Sequence, residues 1–327
     1  MDTTNGINRG AKVYVAGHRG LVGSAIVRRL EREGFRNLVL RTSAELDLRD
    51  QAAVNAFFAA ERPDYVFLAA ARVGGILANS TRPADFIYDN LAIETNVIAA
   101  AHRCGVKKLL FLGSSCIYPR RAPQPLKEEY LLTGPLESTN QPYAIAKIAG
   151  IEMCRAFRRQ HGASFISVMP TNLYGPNDNF DLATSHFLPA LIRKFHEAKT
   201  AGAPSATVWG TGQPVRELLH VDDLADACLF LMDNYDGAGI VNIGTGIGYT
   251  IREYAEMVRD AVGFAGEIVY DTSKPDGTPV KVLDVTKLAS LGWQARIPLK
   301  EGIAGTYAWY LEHAAKAARR GSSAAAF

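Results

Sequence analysis

The chain has 327 residues, 48% of them hydrophobic and 21% charged, an ordinary globular balance that excludes a disordered chain. Lysine and arginine number 36 against 33 acidic residues, and a net charge of +3 is too small to point to nucleic acid or a membrane surface as a partner. No stretch of apolar residues is long enough to span a bilayer, and the opening MDTTNGINRG lacks the apolar centre of a secretory signal. Cys104, Cys116, Cys154 and Cys228 form no CxxC pair, so neither a zinc site nor a disulfide framework is expected. A reducing, cytoplasmic setting follows as the expectation, and in it a lone thiol can do chemistry.

Short apolar runs recur along the first half: 12–16, 38–40, 65–68, 109–112 and 165–168. They are continuous rather than alternating, the pattern of strands buried on both faces. Segments 21–33 and 51–61 carry Ala, Leu and charges at helical spacing between them. Repeated strand–helix–strand predicts a doubly wound parallel sheet with right-handed crossovers. Beyond about residue 178 the pattern loosens. A helix-like stretch covers 186–199, a WGTGQP loop follows, and 219–235 reads as a short strand and an apolar helix. Residues 240–317 mix short strands, glycine turns and two helices. The expectation is an α/β chain of two units. A dinucleotide-binding unit takes 1–178 with about 217–240, and a smaller, partly interleaved α/β substrate unit takes 179–216 and 241–317. Residues 318–327 are expected to be a flexible tail.

Gly17, His18, Arg19, Gly20, Leu21, Val22 and Gly23 join the first strand to the first helix. Glycines there permit a tight turn, close approach of a pyrophosphate and packing of helix on strand, while the helix N-terminus offers N–H groups to phosphate. The spacing is GxxGxxG. At the end of the second strand an acidic residue would hold the 2′-hydroxyl of NAD. This chain has Arg41 there and no acid before Glu45. Arg41 with Arg19 would suit a 2′-phosphate, which favours NADP(H).

Tyr143 and Lys147 lie four apart in a helix-like segment and so share a face. Chance supplies roughly half of one such pair in a chain like this, and Tyr270 with Lys274 is a second instance. Lys274 precedes Pro275, which disfavours helix there. An ammonium beside a phenol is expected to lower the phenol's pKa and ease proton exchange. Ser114 ends the 109–112 run, at the strand end where open parallel sheets bind ligands. Its hydroxyl could donate to a carbonyl while Tyr143 protonates the developing alkoxide.

The glycine loop, the strand-end serine and YxxxK together resemble the extended short-chain dehydrogenase/reductase superfamily, a Rossmann-type fold, over roughly 11–317. The strings GHRGLVGSAI, LGSSCIYP, QPYAIAKIAG, SVMPTNLYGPNDNF, HVDDLADA and KPDGTP resemble, more narrowly, its GDP-4-keto-6-deoxy-D-mannose 3,5-epimerase-4-reductase family. That resemblance implies two chemistries at one sugar. A C4 ketone acidifies the protons on C3 and C5, so a base and an acid invert those centres through an enolate, and hydride from NADPH then reduces C4. By the resemblance Cys116 is the base, His186 the acid, Ser114 orients the carbonyl, Tyr143 donates the proton, and Lys147 tunes Tyr143 and holds the ribose. The cofactor set then includes the glycine loop from Gly17 to Gly23, Arg41, Ser43, Asp47, Leu48, Leu112, Gly113, Ser114, Ser115, Lys147, Pro170, Thr171, Asn172, Leu173 and His186. Lys194, Trp209, Arg216 and Asp276 are the candidates for the nucleotide sugar, with Lys194 standing where the family commonly has arginine.

Rival functions are weighed on residues. A GDP-mannose 4,6-dehydratase would carry a Thr-Asp-Glu triplet where this chain has Ser114, Ser115 and Cys116. A UDP-galactose-type 4-epimerase would prefer an acid at the end of the second strand. A GDP-colitose synthase, acting on a 3-deoxy sugar, stays open. A non-catalytic NADPH-binding regulator would not need Ser114, Tyr143, Lys147 and Cys116 together. A homodimer, paired through two helices including that of Tyr143, is implied by the resemblance.

Overall fold

The computed structural model describes residues 6–324, except Ala183 and Pro275, and leaves aside the side chains of Ile76, Leu77 and 314–324. In chain order the first unit runs β1 (Val13–Ala16), α1 (Leu21–Arg32), β2 (Leu38–Val39), α2 (Gln51–Glu61), β3 (Tyr65–Leu68), α3 (Ile76–Thr81), α4 (Pro83–Arg103), β4 (Lys108–Leu112), α5 (Gln141–His161) and β5 (Phe165–Pro170). Then come β6 (Asn172–Tyr174), α6 (Phe187–Thr200), β7 (Ser205–Trp209), β8 (Val215–His220), α7 (Val221–Asn234) and β9 (Val241–Ile243). The last are β10 (Gly248–Thr250), α8 (Ile251–Val262), β11 (Glu267–Asp271), β12 (Val280–Lys281), α9 (Thr286–Ser290) and α10 (Leu299–Ala324).

Six parallel strands form the main sheet in the order β2-β1-β3-β4-β5-β9. Successive side chains of a strand point to opposite faces, and here each face has its own core. Val13 and Val15 of β1, with Leu110 and Leu112 of β4, pack in a cluster that includes Ala25, Ile26 and Leu30 of α1 and Leu224 and Cys228 of α7. Tyr14, Ala16, Leu109 and Phe111 pack on the other side with Phe58 of α2, Val97 of α4 and Ile151 of α5. Both faces are dry, so the strands read as unbroken apolar runs. The helices start where the sequence supplies a cap. The Asp50 side chain accepts the N–H groups of Ala52 and Ala53 to open α2, and Thr250 with Glu253 forms a capping box at α8.

A third core joins α6, α8 and α10 to β7 and β8, around Tyr174, Phe195, Tyr254 and Phe264. β8 pairs with β10, β12 and β6, while β7 and β11 make a separate parallel pair. The division of the chain therefore differs from the expectation in three places. Asn172–Tyr174, expected in the first unit, pairs with β8 of the second sheet. Val241–Ile243, expected in the second unit, hydrogen-bonds to β5 as the sixth strand of the main sheet. The strand before α7, expected in the first unit, is β8 of the second sheet, although α7 itself packs on α1. A three-residue strand such as β9 carries too little pattern to show which sheet it joins, and for the six-residue β8 the partners are set by topology rather than by its own sequence. At the chain end α10 continues to Ala324, through most of the expected tail, and the last three residues lie outside those described.

Candidate active site

The glycine loop sits where β1 ends and α1 begins. Gly17 has φ +84°, and a Cβ there would press on the Ala70 backbone at 2.8 Å. A Cβ on Gly23 would run into the Gly17 carbonyl. Those two glycines serve the turn and the helix packing. Gly20 differs: its backbone is ordinary extended chain, and a Cβ would clear the nearest atom at 3.5 Å. Gly20 caps α1 with no side-chain hydrogen bond, and the first turn carries no acid. The open N–H groups and the missing side chain fit a dinucleotide pyrophosphate. Arg19 is exposed and has no partner among the described residues. Arg41 pairs with Glu61 at 2.6 Å and lies over the Phe57 ring, half-buried beside the loop. His18 lies close enough to Arg19 and Glu45 to feel both charges; burial, with Arg19, holds its imidazole below its usual range. Ser43 and Asp47 are exposed on the segment after β2, with Asp47 held by Arg49, and Leu48 is half-buried.

β4 and β5 deliver the next residues. Leu112 ends β4, and Gly113, which follows it, has Met169 against its α-carbon where a side chain would go. Ser114 caps a short 3-10 turn, Ser115–Ile117, by accepting the Cys116 N–H at 3.2 Å. Ser115 is buried in that turn. Pro170 ends β5, Thr171 donates to the Glu217 carbonyl at 3.3 Å, and Asn172 does the same, leaving Leu173 in β6.

α5 brings Tyr143 and Lys147 to this strand end, as the spacing predicts. Tyr270, by contrast, lies in β11 and shares no helix with Lys274. Ser114 lies within hydrogen-bonding reach of the Tyr143 phenol. The expected lowering of that phenol's pKa does not occur. Burial raises it, and the neighbouring Cys116 and Glu94 raise it further, against a smaller opposing effect of Ser114. Glu94 of α4 forms an ion pair with Lys147 at 2.8 Å, and both side chains are only 2% exposed. The Lys147 Nζ also lies 4.7 Å from the Phe111 ring centre and 5.9 Å from that of Tyr143.

Cys116 lies close enough to Tyr143 to affect its protonation. Asn140 occupies the N-cap position of α5 but makes no cap hydrogen bond. Its amide donates to the Cys116 sulfur at 3.3 Å instead. Lys281 of β12 points its ammonium at the same sulfur, 3.5 Å away. His186 caps α6; it is accessible to solvent yet ringed by protein. That loss of bulk water and the Lys281 charge both hold its imidazole below its usual range. Lys281 thus stands near both proposed proton-transfer groups. Cys154 and Cys228 are buried, and burial pushes the Cys154 thiol up to about 12.

The four sugar-nucleotide candidates gather at the second unit. Trp209 is 59% exposed, so it is not core packing. Lys194 lies over its ring at 4.9 Å, and burial holds that ammonium below its usual range. Asp276 takes both the N–H and the hydroxyl of Thr211. Arg216 is held by the Val215 carbonyl at 2.8 Å and lies near Asp276. Lys274 also lies over the Trp209 ring, at 5.7 Å, and an indole face with two ammonium groups beside it suits a base or sugar ring and a diphosphate.

Sequence reasoning missed Glu94, Asn140 and Lys281. Glu94 lies in a helix of ordinary charge pattern, and Lys281 is distant in the chain, so neither carries a local signal. Asn140 adjoins Tyr143, and its neglected signal was an N-cap residue type in a motif already singled out.

A parallel dinucleotide-type fold with a Ser-Tyr-Lys group and a thiol gathered at its strand ends marks the class of nucleotide-dependent carbonyl enzymes. The chain belongs to the NAD dependent epimerase/dehydratase family, whose model matches residues 13–244. It is 64% identical to a putative GDP-L-fucose synthase 2 of Arabidopsis thaliana over 94% of each chain. It is 56% identical to the GDP-L-fucose synthase of Escherichia coli over 92% of this chain and 97% of that one. A solved GDP-mannoheptose C4 reductase from Campylobacter jejuni with NADP bound superimposes with a TM-score of 0.87 at 45% identity, covering 94% of this chain and 100% of that one.

Proposed function

We propose that the protein is a bifunctional epimerase/reductase of the GDP-L-fucose synthase type, converting GDP-4-keto-6-deoxy-D-mannose to GDP-L-fucose. The observation that carries this reading is the convergence of Cys116, Ser114 and Tyr143 at one strand end, with the Lys281 ammonium at the Cys116 sulfur and its charge felt by His186. Cys116 as thiolate takes the proton from C3 and His186 gives one to that carbon from the opposite face; the proton on Cys116 then passes through solvent to His186, which restores both groups, and C5 is inverted in the same way. Ser114 and Tyr143 hold the C4 oxygen while charge develops on it. When bound, NADPH supplies the hydride for C4. Tyr143 then gives its proton to the C4 oxygen, and Lys147 lies beneath to hold the ribose. Neutral imidazole is favoured in the free protein, so the acid role of His186 depends on negative charge brought by the substrate diphosphate and the developing enolate.

Arg41 and Arg19 support NADP(H) over NAD(H). Arg216 and Lys194 serve the diphosphate, Trp209 the base or sugar, and Asp276 a further polar contact. The free thiols fit a cytoplasmic setting, and no described helix is long and apolar enough to cross a membrane. A homodimer through α4 and α5 is supported by Tyr88 and Ile145, which are 67% and 40% exposed on those helices.

Deuterium wash-in at C3 and C5 without reductant, beside NADPH oxidation, tests the division of labour. Tyr143→Phe is expected to lose reduction and keep wash-in, and Cys116→Ala to lose wash-in and keep NADPH affinity. Loss of wash-in in Tyr143→Phe, or of cofactor affinity in Cys116→Ala, overturns it.

A further inference from the structure

The buried acid beneath the Tyr143–Lys147 face has no role in the chemistry above. Glu94 projects from α4 against α5, and its Oε1 lies 2.8 Å from the Lys147 Nζ. Its other oxygen, Oε2, is shut away from solvent with no hydrogen-bond partner. Room for it comes from Gly150, one turn beyond Lys147 on α5, where a Cβ would stand 2.9 Å from Oε2 and collide with the Phe111 ring. A carboxylate in such a place is costly unless something needs its charge. A lysine alone beneath a tyrosine draws off the phenol's proton, which suits an enzyme that oxidises alcohols. A reductase needs the opposite, a phenol that still has a proton to give.

We propose that Glu94 is a positioning residue for the reduction step: its carboxylate holds the Lys147 ammonium and offsets its charge beneath Tyr143, so that Tyr143 enters the reaction with its proton in place. The inference rests on Tyr143 being the proton donor. Four groups face the phenol: Cys116 and Ser114 from the β4 end, Glu94 from α4, and Lys147 from its own helix. Burial, Cys116 and Glu94 all favour the protonated phenol. Burial also raises Glu94 itself, against the opposing pull of Lys147. The Glu94–Lys147 pair is therefore a unit in which removing the acid exposes Tyr143 to an uncompensated cation.

The test reads the Tyr143 phenolate directly, without substrate. Absorbance near the phenolate band is titrated in the native protein and in Glu94→Gln, each minus its own Tyr143→Phe counterpart. Glu94→Gln is expected to ionise Tyr143 at least about one pH unit lower than the native protein, and the alkaline limb of NADPH oxidation is expected to move the same way. Glu94→Asp, which keeps the charge, should stay close to native. Superimposable titrations in native protein and Glu94→Gln overturn the proposal. If Glu94→Gln does not fold, the native protein decides: Tyr143 ionising at or below the ordinary tyrosine value of about 10 overturns the role, and ionisation above it with Glu94→Asp close to native supports it. Failure of the wider reading is separable. NADPH oxidation surviving in Tyr143→Phe sinks the donor role, whatever the titrations give.

Discussion

Lys281 places its ammonium 3.5 Å from the sulfur of Cys116, although 165 residues separate the two in sequence. Asn140 donates to the same sulfur at 3.3 Å. A cation at that distance stabilises negative charge on sulfur, and a thiolate is the form that takes a proton. Replacing Lys281 by Met should therefore slow deuterium wash-in at C3 and C5 by about tenfold or more, since a tenfold change is about 1.4 kcal/mol. Lys281→Arg should recover much of it. NADPH affinity, measured by fluorescence, should change little in either variant, and a parallel loss there would mark Lys281 as part of the cofactor site instead.

The two glycines of the loop predict different failures. Gly23→Ala drives a methyl into the Gly17 carbonyl, and the helix must shift away from β1. Overpacking of this kind costs about 1–3 kcal/mol, visible as a lower melting temperature. Gly20→Ala has clear space and a backbone that any residue adopts. It should melt with the native protein and yet bind NADPH more weakly, because the methyl stands where the pyrophosphate must approach. Equal melting temperatures together with equal affinities would contradict the reading of Gly20.

Arg41 tests the choice of cofactor. Its guanidinium is shared with Glu61 in the free protein. Removing it as Arg41→Ala should weaken NADPH binding by about 10-fold to 100-fold, the loss of one charge-assisted contact to phosphate, while NADH binding stays nearly the same. Equal weakening of both cofactors would place Arg41 outside the 2′-phosphate site.

Asp178 carries the pH prediction. Its Oδ2 is buried without a partner, and burial pushes the carboxyl up to about 7, against a smaller lowering by the Asn179 N–H. The folded chain therefore holds a proton that the unfolded chain releases near the ordinary aspartate value of about 3.9. Its contribution to stability is full below that value and is lost as pH rises toward about 7, at no more than about 1.4 kcal/mol per unit. Asp178→Asn should remove this decline. The melting temperature of the variant relative to the native protein should climb between pH 5 and pH 7 (about two units of titration) and then level off.

The parallel sheet was legible because its strands are dry on both faces, which forces unbroken apolar runs such as Leu109–Leu112. The Tyr143–Lys147 pair was legible because the two lie one helical turn apart. The assignments that failed were of short strands. Val241–Ile243 is too brief to reveal which sheet it joins, and β8, though six residues long, could not be placed either, since hydrogen-bond partners are set by topology. The expectation for the Tyr143 phenol failed for a related reason: it counted Lys147, one turn away, and could not count the burial of the ring, the approach of Cys116, or Glu94, which reaches the pair only when α4 lies against α5.

From its amino-acid order alone, this protein's alternation of strand and helix, its phosphate-ready loop and its hydroxyl-phenol-amine set were determined, because each depends on backbone periodicity over a few neighbouring residues. The charge environment of those groups was decided only by the folded molecule. Whether a phenol keeps its proton or a sulfur meets an ammonium depends on Coulomb interactions and water exclusion over a few ångströms. Only packing brings Glu94 to Lys147, and Lys281 to Cys116.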